Sequence, residues 1–302
     1  MSIALQVALV MVTILVVLLV IGAPIGVAIG MSSAVSMICM IPADVSFATS
    51  AQRIFAGSNS FSLIAIPFFI LAGNIMNNGG IATRLVNCAK VISGRMPGAL
   101  AQSNVVANML FGAISGSGAA AAAAMGGTIG PLEEKEGYDK NYSTAVNVAS
   151  APVGMLIPPS NTMIVYSSVA GSVSIAALFM AGYIPGLLWG GAVMILAGIM
   201  AKKRGYQAEQ RVPVKVALKT FWQAIPSLLL IVIVIGGILG GIFTATEGSA
   251  IAVVYATVLS LIYKAFKIKD IPRIVLEAAK TTGIITFMIG LSSIMSWAMA
   301  FT

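Results

Sequence analysis

Two segments of this 302-residue sequence place helix-breaking residues beside hydroxyl and amide side chains, inside long uncharged runs. One is residues 112–118, Gly-Ala-Ile-Ser-Gly-Ser-Gly, and the other is residues 154–161, Gly-Met-Leu-Ile-Pro-Pro-Ser-Asn. Glycine tolerates positive φ values, and a proline removes the amide that would bond the carbonyl four residues earlier. Both segments therefore predict helix ends with unpaired backbone groups.

The carbonyl groups freed in the second segment are candidate cation ligands. Pro158 frees the carbonyl of Gly154, and Pro159 frees that of Met155. We expect Na⁺ as the ion, because uncharged oxygens suit it and because no carboxylate or histidine lies nearby in the sequence to relay a proton.

Serine residues at the two breaks are candidate helix caps. Ser160 is predicted to cap the half-helix that follows it, and Ser115 or Ser117 the helix that starts in the alanine run 119–124. A helix N-terminus carries the positive end of its dipole and attracts anions. Two broken helices with carbonyl ends for a cation and N-terminal ends for an anion are typical of secondary transporters.

Each of these signals also has a purely structural explanation. The Ser-Gly-Ser-Gly run could be a close-packed helix face of small residues, and the Pro-Pro kink could serve packing alone. Asn74, polar within an apolar segment, could face a cavity or join two helices. Glu247, an isolated carboxylate, could be functional or could lie at the membrane interface.

The composition identifies the environment of these breaks as a lipid bilayer. Hydrophobic residues make up 59% of the chain and charged residues 9%, and the mean hydropathy is +1.01. The class predicted is therefore an all-α polytopic membrane protein. The net charge of +8 is expected in cytoplasmic loops, and no nucleic acid partner is expected.

The chemistry of most enzyme classes is missing from the sequence. It has no histidine, and Cys39 and Cys88 have no partner at metal-ligand spacing. A membrane enzyme with Ser115 or Ser117 as nucleophile would lack a base within the spans. We expect no enzyme activity and no cofactor, with Na⁺ as the only metal; a channel or scaffold protein stays an alternative.

Because a helix needs about 20 apolar residues to cross the bilayer, the uncharged runs predict about eight spans in a single transmembrane domain, residues 1–302. The expected parts are three spans in 1–83, a re-entrant helical hairpin in 97–130, a broken helix in 141–170, and further spans in 174–302 with amphipathic connecting helices near 212–221 and 269–279. Three basic clusters, near residues 84–95, 202–219 and 264–280, are taken as cytoplasmic. That choice places the N-terminus in the periplasm.

Four motifs in this order resemble the large membrane subunit of tripartite ATP-independent periplasmic (TRAP) transporters, the DctM family. They are Ala65–Gly73, Phe111–Ser117, Leu156–Ser160 and Gly241–Gly248. The resemblance implies a Na⁺-coupled elevator carrier in the bacterial inner membrane. It would import small organic anions from a periplasmic substrate-binding protein and work with a small four-span membrane subunit.

The resemblance also implies a sodium site between the hairpin tip and the broken helix. Its residues here would be Ser115, Gly116, Ser117, Gly118, Gly154, Ile157 and Pro158. We assign substrate contacts to Ser160, Asn161 and Asn74. A carrier of dicarboxylates or citrate that needs no binding protein is the alternative within transporters, and dicarboxylates, keto acids, sugar acids and sialic acids all stay open as substrates.

Two features depart from the family pattern. Gly118 and Ala119 stand where members often have a third hydroxyl or a proline, which leaves the ligand count open. Inverted repeats require a second hairpin and broken helix, whereas this sequence has one further span after Lys280. The expectation is an incomplete inverted repeat, truncated at the C-terminus and inactive in transport even with its binding protein, its small subunit and a Na⁺ gradient.

Overall fold

A computed structural model describes residues 2–171, 173–206 and 213–302 of the chain. Every regular element in these residues is a helix, which confirms the all-α class. The α-helices are α1 Ile3–Val20, α2 Ile25–Met37, α3 Ala43–Ser58, α4 Ala65–Asn78, α5 Ile81–Ser93, α6 Ala99–Ser115, α7 Gly118–Thr128, α8 Gly130–Lys135, α9 Lys140–Ser150, α10 Val153–Leu156, α11 Asn161–Ala170, α12 Ile175–Lys203, α13 Val214–Leu239, α14 Ala245–Ile262 and α15 Ile271–Phe301, with 3₁₀ turns at Phe61–Ile64 and Ile268–Asp270.

Six described helices are long and apolar enough to cross a membrane, and a bent pair of helices brings the number to seven. The bent pair is Lys140–Leu156 with Asn161–Ala170, which meet at 49°. About eight spans were predicted, and α2, which has 13 residues, is a further but shorter apolar helix. At 1.5 Å per residue α2 is roughly 20 Å long, shorter than the hydrocarbon core of about 30 Å.

The basic segments expected as separate connecting helices are continuous with apolar helices. Val214–Leu239 is one helix that begins after Pro213 and keeps Pro226 inside it. Ile271–Phe301 is likewise a single helix of 31 residues. Both exceed the roughly 20 residues that a span needs, so their charged first turns extend the span and form no separate element. Residue 212 lies outside the described residues.

The chain divides into two compact units. The first consists of Met1–Leu63 together with Ala279–Thr302, and the second of Ile64–Ala278. The first unit has its own small core of Val7, Met11, Met37, Leu291, Ile294 and Ala298. The second unit contains both sequence breaks. Its core joins side chains of α5, α6, α7, α9 and α12, among them Phe111, Met125 and Tyr142.

The first break forms a helical hairpin at the centre of the second unit. Helix α6 contacts α4, α5, α7, α9, α10 and α12, and α7 turns back along it after Gly116, whose φ is +62°. The region expected as a hairpin, residues 97–130, is therefore helix, turn and helix. That it enters and leaves the membrane on one side stays a prediction.

The hairpin and the broken helix approach each other backbone to backbone. A β-carbon built on Gly112 of α6 would lie 2.4 Å from Cα of Gly154 in α10. Real β-carbons do not come this close to another atom, so this contact requires glycine at both positions.

We predict that Gly112→Ala destabilises the chain by about 1–3 kcal/mol or more, because backbone must move to admit the methyl group. Gly127→Ala is the matched control, since Gly127 is also helical and has nothing within 4 Å of its added β-carbon. Thermal unfolding in detergent measures both. Equal melting temperatures for the two variants would contradict the close approach.

Candidate functional site

At the hairpin tip, a residue with a left-handed backbone conformation is followed by a serine that caps the next helix. Gly116 ends α6 in the left-handed region, and Ser117 is the N-cap of α7 with φ of −134°. The Ser117 hydroxyl accepts a hydrogen bond from the Ala120 backbone N–H at 3.3 Å. Of the two serines that the sequence offered as a cap, the structure confirms Ser117.

Ser115 lies just before the turn and is buried. Its hydroxyl is 3.4 Å from both the backbone N–H and the carbonyl oxygen of Ser117, which is long for a hydrogen bond. The Ser115 hydroxyl therefore both donates to and accepts from the Ser117 backbone, through two long contacts.

Ser160 makes two hydrogen bonds at the second break. Ser160 is the N-cap of α11, as predicted, and its hydroxyl also donates to the carbonyl of Met155. The expectation that the Met155 carbonyl is free is therefore wrong, because the serine placed after the two prolines reaches back to it. The Pro158–Pro159 peptide bond is cis, and both prolines are buried.

Asn161 joins the two breaks. Its amide Nδ2 donates to the Ser115 carbonyl at 3.3 Å, and a β-carbon on Gly116 would lie 2.8 Å from the Asn161 backbone nitrogen. The other amide atom, Oδ1, is buried and has no hydrogen-bond partner among the described residues. An unpaired buried acceptor at a point where two helix breaks meet is the kind of group that a cation satisfies.

Gly118, Ile157 and Asn74 are three further residues that the sequence predicted for the site. Gly118 faces the Ala151 carbonyl, 3.3 Å from its added β-carbon. The side chain of Ile157 packs against Gly186 of α12, so only its backbone is available to the break. Asn74 is half-buried on α4 next to Gly73, whose added β-carbon would lie 3.1 Å from Cα of Ser115.

A buried polar network that the sequence analysis did not identify lies deeper in the hairpin. The Nδ2 of Asn108 lies 2.8 Å from the Ser150 hydroxyl, 2.9 Å from Oδ1 of Asn104 and 3.0 Å from Oδ1 of Asn147. Asn147 in turn donates to the Ala122 carbonyl at 2.8 Å. The network ties both hairpin arms to α9; its sequence signal is the pair of asparagines four residues apart on α6.

The sequence of this chain matches a known protein family. The family model described as "Tripartite ATP-independent periplasmic transporter, DctM component" matches residues 12–302. A protein designated YgiK from Salmonella typhimurium is 51% identical over 89% of this chain and 62% of its own length. The C4-dicarboxylate TRAP transporter large permease protein DctM of Rhodobacter capsulatus is 36% identical over 83% of this chain and 60% of its own length.

The sialic acid TRAP transporter large permease protein SiaM of Vibrio cholerae is 37% identical over 83% of the chain and 59% of its own length. The chain thus spans about three fifths of the length of these relatives. The family consists of transporter permeases and not of enzymes, and its large subunits work with a small membrane subunit and a periplasmic binding protein. The resemblance found in the four sequence motifs is confirmed: the chain belongs to the DctM family of TRAP transporter large permease subunits.

Proposed function

We propose that this chain supplies the ion site and part of the substrate path of a Na⁺-coupled TRAP transporter. The transporter imports a small organic anion that a periplasmic binding protein delivers. A small four-span membrane subunit completes the membrane complex. The chain lies in the bacterial inner membrane with its N-terminus in the periplasm. No organic cofactor takes part.

The observation that carries this proposal is the junction of the hairpin tip with the broken helix at Asn161. Three helix ends meet there: the C-terminus of α6 and the N-termini of α7 and α11. The carbonyl end favours a cation and the two N-terminal ends favour an anion.

We infer that Na⁺ binds at the tip through uncharged oxygens. The candidate ligands are the hydroxyl and carbonyl of Ser115, Oδ1 of Asn161, and backbone oxygens among Gly116, Ser117, Gly118, Gly154, Ile157 and Pro158. The unpartnered Oδ1 fits this assignment. Across the residues that the structure describes, no three His, Cys, Asp or Glu side chains are grouped as a metal site.

Na⁺ and the anion would then bind cooperatively at one place. With Na⁺ at the tip, the N-terminus of α11 and the added positive charge both attract a carboxylate, and Ser160, Asn161 and Asn74 are the candidate polar contacts. C4-dicarboxylate, isethionate, sialic acid and 2,3-diketo-L-gulonate appear in the names of relatives. We therefore propose a small organic anion with a carboxylate or sulfonate group as the substrate.

The close contact of hairpin and broken helix supports an elevator mechanism. The Gly112–Gly154 approach and the Asn108 network hold α6, α7, α9 and α10 as one body. Such a body can carry a bound ion and anion across the membrane without separating the groups that bind them.

Na⁺ binding to the purified chain tests the ion site. We predict that Ser115→Ala and Asn161→Ala each weaken Na⁺ affinity about tenfold, equivalent to about 1.4 kcal/mol for a lost ligand oxygen. Ser168→Ala is the control, because the Ser168 hydroxyl bonds the Ile164 carbonyl on α11, away from the break. Calorimetric titration with NaCl against a choline chloride background measures the affinities. Unchanged affinity in both tip variants would contradict the assignment.

Uptake tests the transport function. A carrier of the relatives' length that contains residues 1–302, expressed with a binding protein and a small membrane subunit, should support saturable uptake of a radiolabelled organic anion. Candidates are C4-dicarboxylates, keto acids, sugar acids and sialic acids. Replacing external Na⁺ with K⁺ should abolish the uptake. Uptake that persists without Na⁺, or without the binding protein, would contradict the proposal.

A further inference from the structure

A buried carboxyl group without a partner lies at the opposite end of α7 from the tip. Glu133 of α8 is 1% exposed, and neither of its carboxylate oxygens has a hydrogen-bond partner within the described parts of the chain. No ion pair of Glu133 is present there either. An ionised carboxylate in this position is costly unless a positive charge reaches it.

Polar atoms from two other helices surround this carboxyl group. Nδ2 of Asn104 on α6 and the hydroxyl of Ser143 on α9 are both buried, and neither has a hydrogen-bond partner among the described residues. Both lie near enough to the carboxylate to lower the pKa of Glu133, without meeting the geometry of a hydrogen bond. The three unpartnered groups line a cavity of about 330 Å³ together with Tyr138 and Asn147, which is ample room for an ion and several waters.

We propose that this cavity is a monovalent-cation site at the base of the hairpin, with Glu133 as its charged ligand. The site is separate from the proposed ion site at the hairpin tip. It does not depend on the function proposed above.

A monovalent metal ion fits this set of ligands. Na⁺ would bind the two oxygens of Glu133 and the Ser143 hydroxyl, with water completing its coordination. The amide of Asn104 would donate to a carboxylate oxygen, since its Oδ1 already accepts from Asn108. One carboxylate balances one charge; Ca²⁺ needs six to eight oxygen ligands, and Mg²⁺ demands near-ideal octahedral geometry.

Among the described residues, none of the charged side chains near Glu133 forms an ion pair with it, so its carboxylate is available to a cation. Lys140 of α9 and Glu134 of α8 also line the cavity, but both are exposed to solvent. Asp139, between these two helices, pairs with Arg204 at 3.0 Å. Helix α6 and the Gly126 wall of α7 contribute no charged side chain to the cavity.

Proton competition follows from the burial of the same group. Burial raises the pKa of Glu133 to about 7, and the Ser143 hydroxyl and Asn104 amide lower it only in part. Tyr138 and Tyr142, the aromatic residues beside Glu133, carry no positive charge. Protonation neutralises the carboxyl group and removes the charge that holds Na⁺. Na⁺ affinity should therefore fall as the pH is lowered and Glu133 takes up its proton.

The site would connect the base of the hairpin to the first half of the broken helix. Asn104, Glu133 and Ser143 come from α6, α8 and α9, and the Asn108 network lies next to them. Binding of Na⁺ would hold these helices together, and its release would free them.

Thermal stability of the purified chain in detergent, with NaCl or choline chloride at pH 5.5 and pH 8, tests the site. In choline the stability should fall as pH rises. The sign follows because the folded carboxyl group keeps its proton up to about pH 7, whereas in the unfolded chain it loses it near its ordinary pKa of 4.5. NaCl should restore much of the loss at pH 8 and have little effect at pH 5.5.

All variants are made in a Ser115→Ala background, so that the tip site contributes little. Glu133→Gln should lose both the pH dependence and the Na⁺ effect, and Glu136→Gln, at an exposed position on the same turn, should keep both. Glu133→Asp retains a carboxylate and should keep a weakened Na⁺ effect, which covers a failure of the Gln variant to fold. A Na⁺ effect at pH 8 that survives Glu133→Gln, or that is missing from the Glu136→Gln chain, would overturn the proposal.

Discussion

The contact between the backbones of Gly112 and Gly154 is the constraint on which the second unit depends. Without side chains at these positions, α6 and α10 come close enough for the hairpin tip to reach the break after Pro159. Asn161 then spans the gap by donating to the Ser115 carbonyl. Every candidate ligand at the tip is positioned by this approach.

Within a bilayer, each interruption of a helix must satisfy its own polar groups. The structure does this locally at both breaks, with Ser117 and Ser160 as caps and with the Ser160 hydroxyl on the Met155 carbonyl. At the junction, the side-chain Oδ1 of Asn161 has no hydrogen-bond partner among the residues that the structure describes. An ion there would complete the set of polar contacts and would make the junction depend on Na⁺.

The sequence predicted the features that arise from local chemistry. Glycine, proline and serine act on their own backbone and on residues within one helical turn, so the breaks at 112–118 and 154–161 and the capping role of Ser160 were accessible without a structure. The four family motifs were also readable from sequence. The prediction that the Met155 carbonyl is free was wrong, because a sequence pattern does not show that a capping serine also donates a second hydrogen bond.

Features that depend on distant contacts were not predictable in the same way. Ile157 follows Leu156 toward the break in sequence, yet its side chain packs on α12. Glu133 is followed by Glu134, Lys135 and Glu136. This pattern is typical of an exposed charged loop, although the fold buries Glu133. The length of α2 was not predictable, because an uncharged run measures composition, whereas the length of a helix is fixed by where it ends.

The central claim is that the junction of hairpin and broken helix binds Na⁺ through Ser115 and Asn161. The most direct measurement is a pair of high-resolution cryo-EM maps of the purified protein in lipid nanodiscs, one in NaCl and one in choline chloride. We expect density between the Ser115 carbonyl and Oδ1 of Asn161 in NaCl that is absent in choline. Identical maps, with Oδ1 of Asn161 accepting a hydrogen bond from a protein donor in both, would contradict it.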